Sequence, residues 1–393
     1  MSFSLDWLAA EWTDWQARGL ARRSSSRENA QGREVLIEGR SYLNFGSNDY
    51  LGLANDPRLK EAARQAWESE GWGAGASPLV TGQSTAHARL EQALAVWLGT
   101  EGALVFSSGY AANTGTIAAL VGPGDVIYSD AKNHASLIDG CRQSRAATRI
   151  YAHARVDDLR SQLRESAGDY RRALIVTDSL FSMDGDLAPL AEICDLADEF
   201  GAMLLVDEAH ASGVWGSRGS GWVEEAGVAD RVPIRLGTLS KAVGSAGGFV
   251  AGSRLLINWL SNRARSYVYS TAHPPAVAAA AQAGIELIIA EPWRRERLQA
   301  LAVKVRHALI DQGWRVGQAK TQIIPVVIGD AASAMECAAR LRGAGLWVPG
   351  IRPPSVPPGE SLLRISLTAA HTDDDVDRLC AGLADLRKIQ PAA

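Results

Sequence analysis

The sequence is poor in lysine and cysteine, and neither residue occurs in a pattern that identifies a large protein class. Only 6 of the 40 basic residues are lysines. The four cysteines are scattered along the chain, at Cys141, Cys194, Cys337 and Cys380. Because no Cys-x-x-Cys pair is present, they favour neither a disulfide framework nor a zinc site, and a reducing cytosol suits them best.

The chain also lacks a surplus of positive charge. Its 40 Lys and Arg stand against 44 Asp and Glu, a formal net charge of −4, which points to neither nucleic acid nor an anionic membrane as partner. Near the N-terminus, Asp6 and Glu11 stand where an export signal needs a basic start and then an apolar run. The long charge-free stretch 267–285 contains a histidine and two prolines and does not suit a membrane span. We expect a soluble, cytoplasmic protein.

Motifs that would indicate other functions are absent or out of context. DEAH at 207–210 also occurs in helicases, but the phosphate loop that must accompany it needs a Gly-Lys pair, which this chain does not contain. GWGAGA at 71–76 formally fits a dinucleotide fingerprint, yet it follows a helical pattern instead of a strand. The histidines form no His-Glu-x-x-His motif and no cluster with cysteines, so we expect no metal site.

Between about residues 55 and 260, short apolar runs alternate with longer helical patterns. The runs lie at 103–106, 126–129, 173–177, 203–207, 234–238 and 248–252, and the helical patterns at 57–70, 86–98, 110–121, 133–142 and 187–200. Consecutive apolar residues are typical of strands that are buried on both faces of a sheet. The alternation therefore predicts an α/β fold with a largely parallel sheet covered by helices on both sides.

The pattern changes after Pro274 and Pro275. Helical patterns at 276–290, 294–312, 332–343 and 373–388 surround β-rich runs at 323–329, 346–354 and 362–367. We predict an N-terminal arm (1–54) with an amphipathic helix and a short β pair, a large cofactor-binding domain (55–275) and a smaller α+β domain (276–393).

Lys241 differs from the other five lysines in its surroundings. It lies in GTLSKAVGSAGG (237–248), where the nearest charged residues are Arg235 and Arg254. Partial desolvation among small residues lowers the pKa of an amine and makes it a nucleophile, which a Schiff-base lysine requires. The alternative is a surface lysine in a glycine-rich turn.

Asp207 ends the predicted strand 203–207, and open α/β folds bind ligands at the carboxyl ends of parallel strands. A carboxylate there can keep a pyridinium nitrogen protonated, which turns a pyridoxal ring into an electron sink. Asp207 could instead cap a following helix. His210 could reach the phenolic oxygen of that ring or be an ordinary histidine.

Further small polar residues follow strand ends along the chain. SSGYAAN (107–113) forms a strand-to-helix turn, and the N-terminus of a helix attracts phosphate through its backbone N–H groups. The candidate ligand contacts are Ser108, Gly109 and Tyr110 in this turn, His134 for stacking on a flat ring, and Thr238 as a further phosphate hydroxyl. Each of these residues alone is weak evidence, but together at one sheet edge they indicate a pyridoxal 5'-phosphate (PLP) site.

These residues resemble those of a known family. The chain is similar to the α-oxoamine synthases, PLP enzymes of fold type I (the aspartate aminotransferase-like fold) that condense an amino acid with an acyl thioester and release CO2. The resemblance runs from YLNFGSNDYLGL (42–53) to LLRISLTAAHT (362–372). FSMDGD (181–186) is shared widely in the group, whereas IRPPSVPPG (351–359) resembles most the branch that acts in biotin synthesis.

The resemblance implies a role in cofactor binding for many of these residues. Lys241 would bind PLP covalently, Asp207 would pair with the pyridine nitrogen, and His134 would stack on the ring. His210 and Ser182 would contact the ring and its phenolic oxygen. The phosphate would be held by Ser108, Gly109, Tyr110 and Thr238, and by Ser270 and Thr271 from the neighbouring subunit of an obligate homodimer.

The resemblance also implies substrate contacts and a reaction. Arg364 would hold the amino-acid carboxylate, and either Arg22 or Arg23 the acyl substrate, with Ser355 in place of the more usual threonine and His134 also facing the substrates. The implied reaction joins L-alanine to pimeloyl-CoA or pimeloyl-carrier protein. The alternative is a sister activity such as glycine C-acetyltransferase (2-amino-3-ketobutyrate CoA ligase).

Overall fold

A seven-stranded sheet and two three-stranded sheets organise the computed structural model of this chain, which describes residues 5–22, 24–317 and 320–389. The strands are β1 (Glu34–Ile37), β2 (Arg40–Asn44), β3 (Gly102–Phe106), β4 (Val126–Asp130), β5 (Ala147–Tyr151), β6 (Ala173–Asp178), β7 (Met203–Asp207), β8 (Ile234–Thr238), β9 (Gly248–Gly252), β10 (Ile323–Gly329), β11 (Leu346–Trp347), β12 (Gly350–Ile351) and β13 (Ser361–Ser366).

Fourteen α-helices connect and cover these strands in the described residues. They are α1 (Trp7–Ala17), α2 (Pro57–Glu70), α3 (Thr85–Leu98), α4 (Gly109–Leu120), α5 (Ala135–Ser144), α6 (Val156–Glu165), α7 (Leu190–Phe200), α8 (Trp222–Glu225), α9 (Arg254–Arg263), α10 (Arg265–Val268), α11 (Pro275–Ala290), α12 (Trp293–Asp311), α13 (Ala331–Gly343) and α14 (Asp373–Arg387). A π-helical turn covers Pro78–Gly82 and a 3-10 turn covers Ala229–Arg231.

The large sheet has the order β3-β9-β8-β7-β6-β4-β5. Its strands run parallel except β9, which is antiparallel to both β3 and β8. The predicted α/β class with a largely parallel sheet is confirmed. Because helices cover both faces, every residue of β3, β4, β8 and β9 is buried, which explains the continuous apolar runs in the sequence.

One strand of this sheet, β5, does not follow the predicted pattern. β5 lies at the edge and pairs only with β4. Of its five residues only Tyr151 is buried, so the segment ATRIY shows no continuous apolar run. Such polar edge strands are weakly marked in a sequence, because one side of the strand faces solvent.

One of the two small sheets connects the arm with the C-terminal third of the chain. β1 and β2 form the expected antiparallel pair, and β11 adds to β2 in parallel, with Leu346 opposite Leu43. The other small sheet, β10-β13-β12, is antiparallel. Within it, β13 carries Arg364 opposite Pro325 of β10.

The division into three units stays a prediction. The proposed boundary at 275/276 coincides with the start of α11 at Pro275. A single hydrophobic cluster nevertheless runs across it, because Leu90 of α3, Ile285 of α11 and Ile324 of β10 all belong to the same buried core.

Helix α1 differs from the predicted amphipathic helix of the arm. All of its residues are exposed, including Trp7, Trp12 and Trp15, so no apolar face packs on the rest of the described chain. Among the helices that the structure describes, none is both long and apolar enough to cross a membrane.

Candidate active site

The carboxyl ends of four neighbouring strands lie at one edge of the large sheet. Asp130, Asp178, Asp207 and Thr238 are the last residues of β4, β6, β7 and β8, and all four are buried. Asp178 and Asp207 are partners in the register of β6 and β7. This edge therefore presents carboxylates and a hydroxyl where parallel α/β sheets usually bind ligands.

Lys241 lies close above this edge, in the turn between β8 and β9. Its Nζ is 3.0 Å from Nε2 of His210, and Nδ1 of His210 is 2.6 Å from the hydroxyl of Tyr50. Burial lowers the pKa of Lys241 to about 8, although the nearby Asp207 partly opposes this. Because a large share of this amine is neutral near pH 8, Lys241 can act as a nucleophile or a base.

His210 is itself held in its neutral form. Burial lowers the pKa of its imidazole well below the usual range, and the nearby charge of Lys241 lowers it further. The backbone carbonyl of His210 accepts a 2.8 Å hydrogen bond from the side-chain amide of Gln322. His210 is thus a buried, oriented hydrogen-bond partner of the lysine, and the alternative of an ordinary surface histidine does not apply.

Asp207 is held by two hydrogen bonds. Its Oδ2 accepts a 2.6 Å bond from the side-chain amide of Asn113, and its Oδ1 accepts a 2.8 Å bond from the backbone N–H of Ala209. The alternative that Asp207 caps a helix does not hold, because residues 209–214 form turns. The bond to Ala209 belongs to a local turn of the kind that aspartate often stabilises.

Asp178 is the carboxyl group beside Asp207. Burial raises the pKa of Asp178 well above its usual range, and the negative charge of Asp207 raises it further. Its Oδ2 accepts a 2.7 Å hydrogen bond from the backbone N–H of His134. Asp178 is thus held towards its neutral form, and its hydrogen bond fixes the backbone that carries His134.

His134 begins helix α5 and presents an exposed ring. Its Nδ1 lies 2.7 Å from the hydroxyl of Ser136, which also accepts a 2.8 Å bond from Asn113. A continuous hydrogen-bond chain therefore runs from Asp207 through Asn113 and Ser136 to His134. Such a chain orients the imidazole relative to the carboxylate.

The predicted phosphate site is the N-terminus of α4. Ser108 caps this helix by accepting the N–H of Ala111 at 3.0 Å. Gly248 pairs with Thr238 in β8, and a Cβ on Gly248 would lie 2.5 Å from Cα of Gly109. Glycine at 248 thus lets β9 bring the start of α4 next to Thr238.

Tyr110 and Thr238 add hydroxyl groups to this region. The hydroxyl of Tyr110 donates to the carboxylate of Asp139. The hydroxyl of Thr238 bonds to Ser240 at 2.7 Å and to the carbonyl of Gly247 at 2.9 Å. The first N–H groups of a helix have no partner within it, so the α4 terminus offers N–H donors that suit the predicted phosphate, with these two hydroxyls in the same region.

Arg364 is buried and its guanidinium is fixed on several sides. Nε donates to the carbonyl of Ser182 at 2.5 Å, and Nη1 donates to Ser366 at 2.8 Å and to Asn48 at 3.2 Å. Burial raises the pKa of Tyr50, while the nearby Arg364 opposes this rise. Arg364 and Tyr50 are therefore close neighbours, which places this arginine beside the Lys241 and His210 pair.

Arg22 and Ser355, two of the predicted substrate contacts, meet where the arm touches the segment 351–359. Nη2 of Arg22 lies 3.0 Å from the hydroxyl of Ser355, and both residues are exposed. Arg352 holds the arm in place by donating to the carbonyls of Gly19 at 2.8 Å and Ala21 at 2.9 Å. The other predicted candidate, Arg23, lies outside the described residues.

Ser270 and Thr271 are not joined to these groups within one chain. They line a small cavity together with His87, Glu91 and His273. In the part of the chain that the structure describes, no hydrogen bond connects them with Thr238 or Lys241. Their predicted role in a neighbouring subunit stays a prediction.

Several site residues were not identified from the sequence. Asp178 ends a strand just as Asp207 does, so the same argument could have found it. Asn113 lies in SSGYAAN and Tyr50 in YLNFGSNDYLGL, but their partners Asp207 and His210 are 94 and 160 positions away. Only the folded chain brings such pairs together.

The residues present fit PLP. A lysine amine with a lowered pKa, a carboxylate, an exposed imidazole and a helix N-terminus with hydroxyls are the groups that an aldehyde, a pyridine nitrogen, a flat ring and a phosphate require. No cluster of three or more His, Cys, Asp or Glu suited to a metal occurs in the described ranges.

Comparison with known proteins agrees with this chemistry. A family profile for aminotransferases of class I and II matches residues 40–383. The 8-amino-7-oxononanoate synthase of Anaeromyxobacter dehalogenans is 48% identical over 390 residues, which are 99% of this chain and 98% of that relative.

Solved structures show the same fold. A serine palmitoyltransferase from S. paucimobilis with a bound PLP–myriocin aldimine has a TM-score of 0.92 and 33% sequence identity, over 98% of this chain and 97% of that one. The 8-amino-7-oxononanoate synthase from Francisella tularensis has a TM-score of 0.76 and 26% identity, over 88% of this chain and 98% of that one.

Proposed function

The chain belongs to the 8-amino-7-oxononanoate synthase family of PLP-dependent acyltransferases, and from that premise we propose that it condenses L-alanine with pimeloyl-CoA or pimeloyl-carrier protein. The Cα of alanine forms a bond to the thioester carbonyl carbon, and the thiol leaves. The alanine carboxylate departs as CO2, and a proton takes its place. The product is 8-amino-7-oxononanoate, a precursor of biotin.

The observation that carries this proposal is the contact between Lys241 and His210 beside Arg364. Lys241 would hold PLP covalently, Asp207 its pyridine nitrogen, and the α4 terminus with Thr238 its phosphate. When bound, PLP supplies an electron sink that stabilises negative charge at the amino-acid Cα. The residues around it must then bind the carboxylate, move a proton and keep the ring nitrogen charged.

Lys241 is placed to move the Cα proton. Its pKa of about 8 lies near the working pH, which suits a group that both accepts and returns a proton. The hydrogen bond to His210 restricts where Nζ points, and Tyr50 restricts His210 in turn. The lysine is therefore oriented as well as activated.

Arg364 suits the carboxylate of alanine. A guanidinium whose plane is fixed binds a carboxylate through charge-assisted N–H bonds. The contacts with Ser182, Ser366 and Asn48 fix that plane and use Nε and Nη1, which leaves the N–H groups of Nη2 for the carboxylate. Asp207, which is held by Asn113 and Ala209, would face the ring nitrogen.

The acyl thioester is proposed to enter past Arg22 and Ser355. Both side chains are exposed and in contact, and Arg352 ties the arm to the segment 351–359. The net charge of −4 gives the protein no overall attraction for an anionic thioester. Local arginines such as Arg22 would therefore have to bind it.

A homodimer is part of the proposal. Ser270 and Thr271 have no hydrogen bond to the phosphate residues of their own chain among the described residues, which is consistent with a role in the partner's site. The exposed apolar side chains of Leu79 and Val80 directly follow Pro78, which lines the same cavity. Sedimentation or light scattering of the purified protein tests this assignment, and a monomer with full activity would contradict it.

The decisive experiment is a product assay with L-alanine and pimeloyl-CoA. We expect CO2 release and a product of the mass of 8-amino-7-oxononanoate, with little turnover of glycine and acetyl-CoA. The second candidate is a sister activity of the same group, such as that of a glycine C-acetyltransferase, because the structural similarity to a serine palmitoyltransferase extends over 98% of this chain. Faster turnover of glycine with acetyl-CoA, or of serine with palmitoyl-CoA, would replace the first proposal with this one.

A further inference from the structure

His153 joins two carboxylates from different parts of the chain, one of which is Asp130 at the end of β4. Its Nδ1 lies 2.8 Å from Oδ1 of Asp130, and its Nε2 lies 2.7 Å from Oδ2 of Asp186. The imidazole also packs edge-on against Phe181, with ring centroids 4.4 Å apart at 84°. Both ring nitrogens face a carboxylate, so the protonated form of His153 satisfies both contacts.

The surroundings of His153 favour this charged form. Burial alone would lower the pKa of His153, but the hydrogen bonds and charges of Asp130 and Asp186 outweigh burial and raise it to about 9. The side chain of Asp130 is 2% exposed and that of His153 is 18% exposed, so solvent screens the contact little. Other charged or titratable groups near this cluster are the ion pair of Lys132 with Asp184, at 2.8 Å, the buried carboxyl of Asp178 and the hydroxyl of Tyr151.

The backbone next to His153 is also held in an uncommon conformation. Ala154 has a φ of +53°, in the left-handed region that residues with a Cβ seldom adopt. Its N–H donates to the second carboxylate oxygen of Asp130 at 2.9 Å. Such conformations persist where the surrounding contacts determine them and are common at functional sites.

The turn 181–186, which contains Asp186, connects His153 with the substrate arginine. The carbonyl of Ser182 accepts the 2.5 Å bond from Nε of Arg364. The carbonyl of Gly185 accepts a 2.6 Å bond from the hydroxyl of Thr321. The turn is therefore held by His153 on the side of the large sheet and by Arg364 and Thr321 on the other.

We propose that protonated His153 is a positioning residue that holds the turn 181–186 and thereby orients Arg364 for the carboxylate of the amino-acid substrate. The inference rests on the proposed function, since it takes Arg364 as the carboxylate-binding residue. When His153 loses this proton, one of its ring nitrogens no longer has a hydrogen to donate to its carboxylate. The turn 181–186 then loosens, and the affinity for the amino acid falls. The acyl substrate does not depend on this contact.

The test is a titration of the PLP-loaded enzyme with L-alanine, followed through the absorbance of the cofactor, in wild type and H153Q. We expect the Kd for L-alanine at pH 7.5 to rise about tenfold in H153Q, as for one lost charge-assisted contact. The KM for pimeloyl-CoA should stay within about twofold. Between pH 8 and pH 10 the wild-type Kd should rise more steeply than that of H153Q, because only the wild type loses the His153 proton in that range.

D184N is the matched control, because Asp184 lies on the same turn and pairs with Lys132 instead of His153. D184N should bind L-alanine like the wild type. D186N should show the same defect as H153Q, and it replaces H153Q if that variant does not fold. A merely structural role would lower Tm without changing the Kd or its pH dependence, and that result overturns the proposal.

The same titration separates this inference from the proposed function. If wild type responds to glycine or serine but not to L-alanine, the assigned substrate is wrong, and the comparison of H153Q with D184N is made with the amino acid that binds. If wild type responds to L-alanine and H153Q responds with the same Kd at every pH, the role of His153 is wrong while the function stands.

Discussion

The inner and outer ends of the site are built in different ways. The inner end, around Lys241, Asp207 and His210, stands at the ends of buried parallel strands and is tightly hydrogen-bonded. The outer end, where Arg22 meets Ser355, is exposed and consists of an arm and a loop held by Arg352. The difference teaches that a rigid scaffold holds the groups proposed for the chemical step, whereas the proposed contacts of the acyl substrate lie on exposed segments.

The sharpest test of this contrast is Lys241→Ala at the inner end. We expect activity to fall by at least about a thousandfold, because the amine is both the covalent attachment point and the base. The variant should keep its Tm within a few degrees and show no absorbance of covalently bound PLP. Turnover of alanine and pimeloyl-CoA at the wild-type rate would show that the chemistry lies elsewhere.

The rate of PLP uptake, measured over a range of pH, tests the inner end further and should show an effect of intermediate size. Since the neutral amine attacks the aldehyde of PLP and the pKa of Lys241 is about 8, PLP uptake by the apoenzyme should speed up as pH rises towards 8. Below that value the rate should fall about tenfold per pH unit, as the neutral fraction does. The rate is measured by cofactor absorbance after mixing. A rate that is flat from pH 6 to pH 8 would contradict a half-neutral lysine.

Arg22→Gln probes the outer end and should have the smallest effect. We expect the KM for pimeloyl-CoA to rise by about three- to tenfold, as for one exposed charge-assisted contact, with the Kd for L-alanine unchanged. The matched control is Arg18→Gln, because Arg18 lies on the same arm and pairs with Asp14 at 3.2 Å. Equal effects of the two substitutions would indicate a general role of arm charge instead of a specific contact.

Much of the fold could be predicted from periodicity and strand ends. The apolar runs 203–207 and 234–238 coincide with β7 and β8, because strands buried on both faces leave an uninterrupted apolar pattern. β5 could not be predicted in this way, since its exposed edge position permits polar residues. The arm helix was predicted as amphipathic, but the described chain provides no surface against which α1 packs.

A residue of the candidate site could be predicted only where its neighbours along the sequence indicate its chemistry. Lys241 stood out because it alone among six lysines lies in a turn of small residues, and Asp207 because it ends a strand. Asn113, Tyr50 and His153 carry no such local signal. Their roles depend on partners that lie far away in the sequence, such as Asp186, 33 positions after His153.

The sequence by itself therefore determined the fold class, and it indicated the sheet edge of the candidate site and the lysine proposed as its nucleophile. These properties follow from local patterns, namely apolar periodicity, strand ends and the surroundings of one lysine. Only the tertiary structure decided the protonation state of the groups around that lysine and the hydrogen bonds that orient them. A pKa depends on burial and on charges within a few ångströms, and both arise only when distant segments pack together.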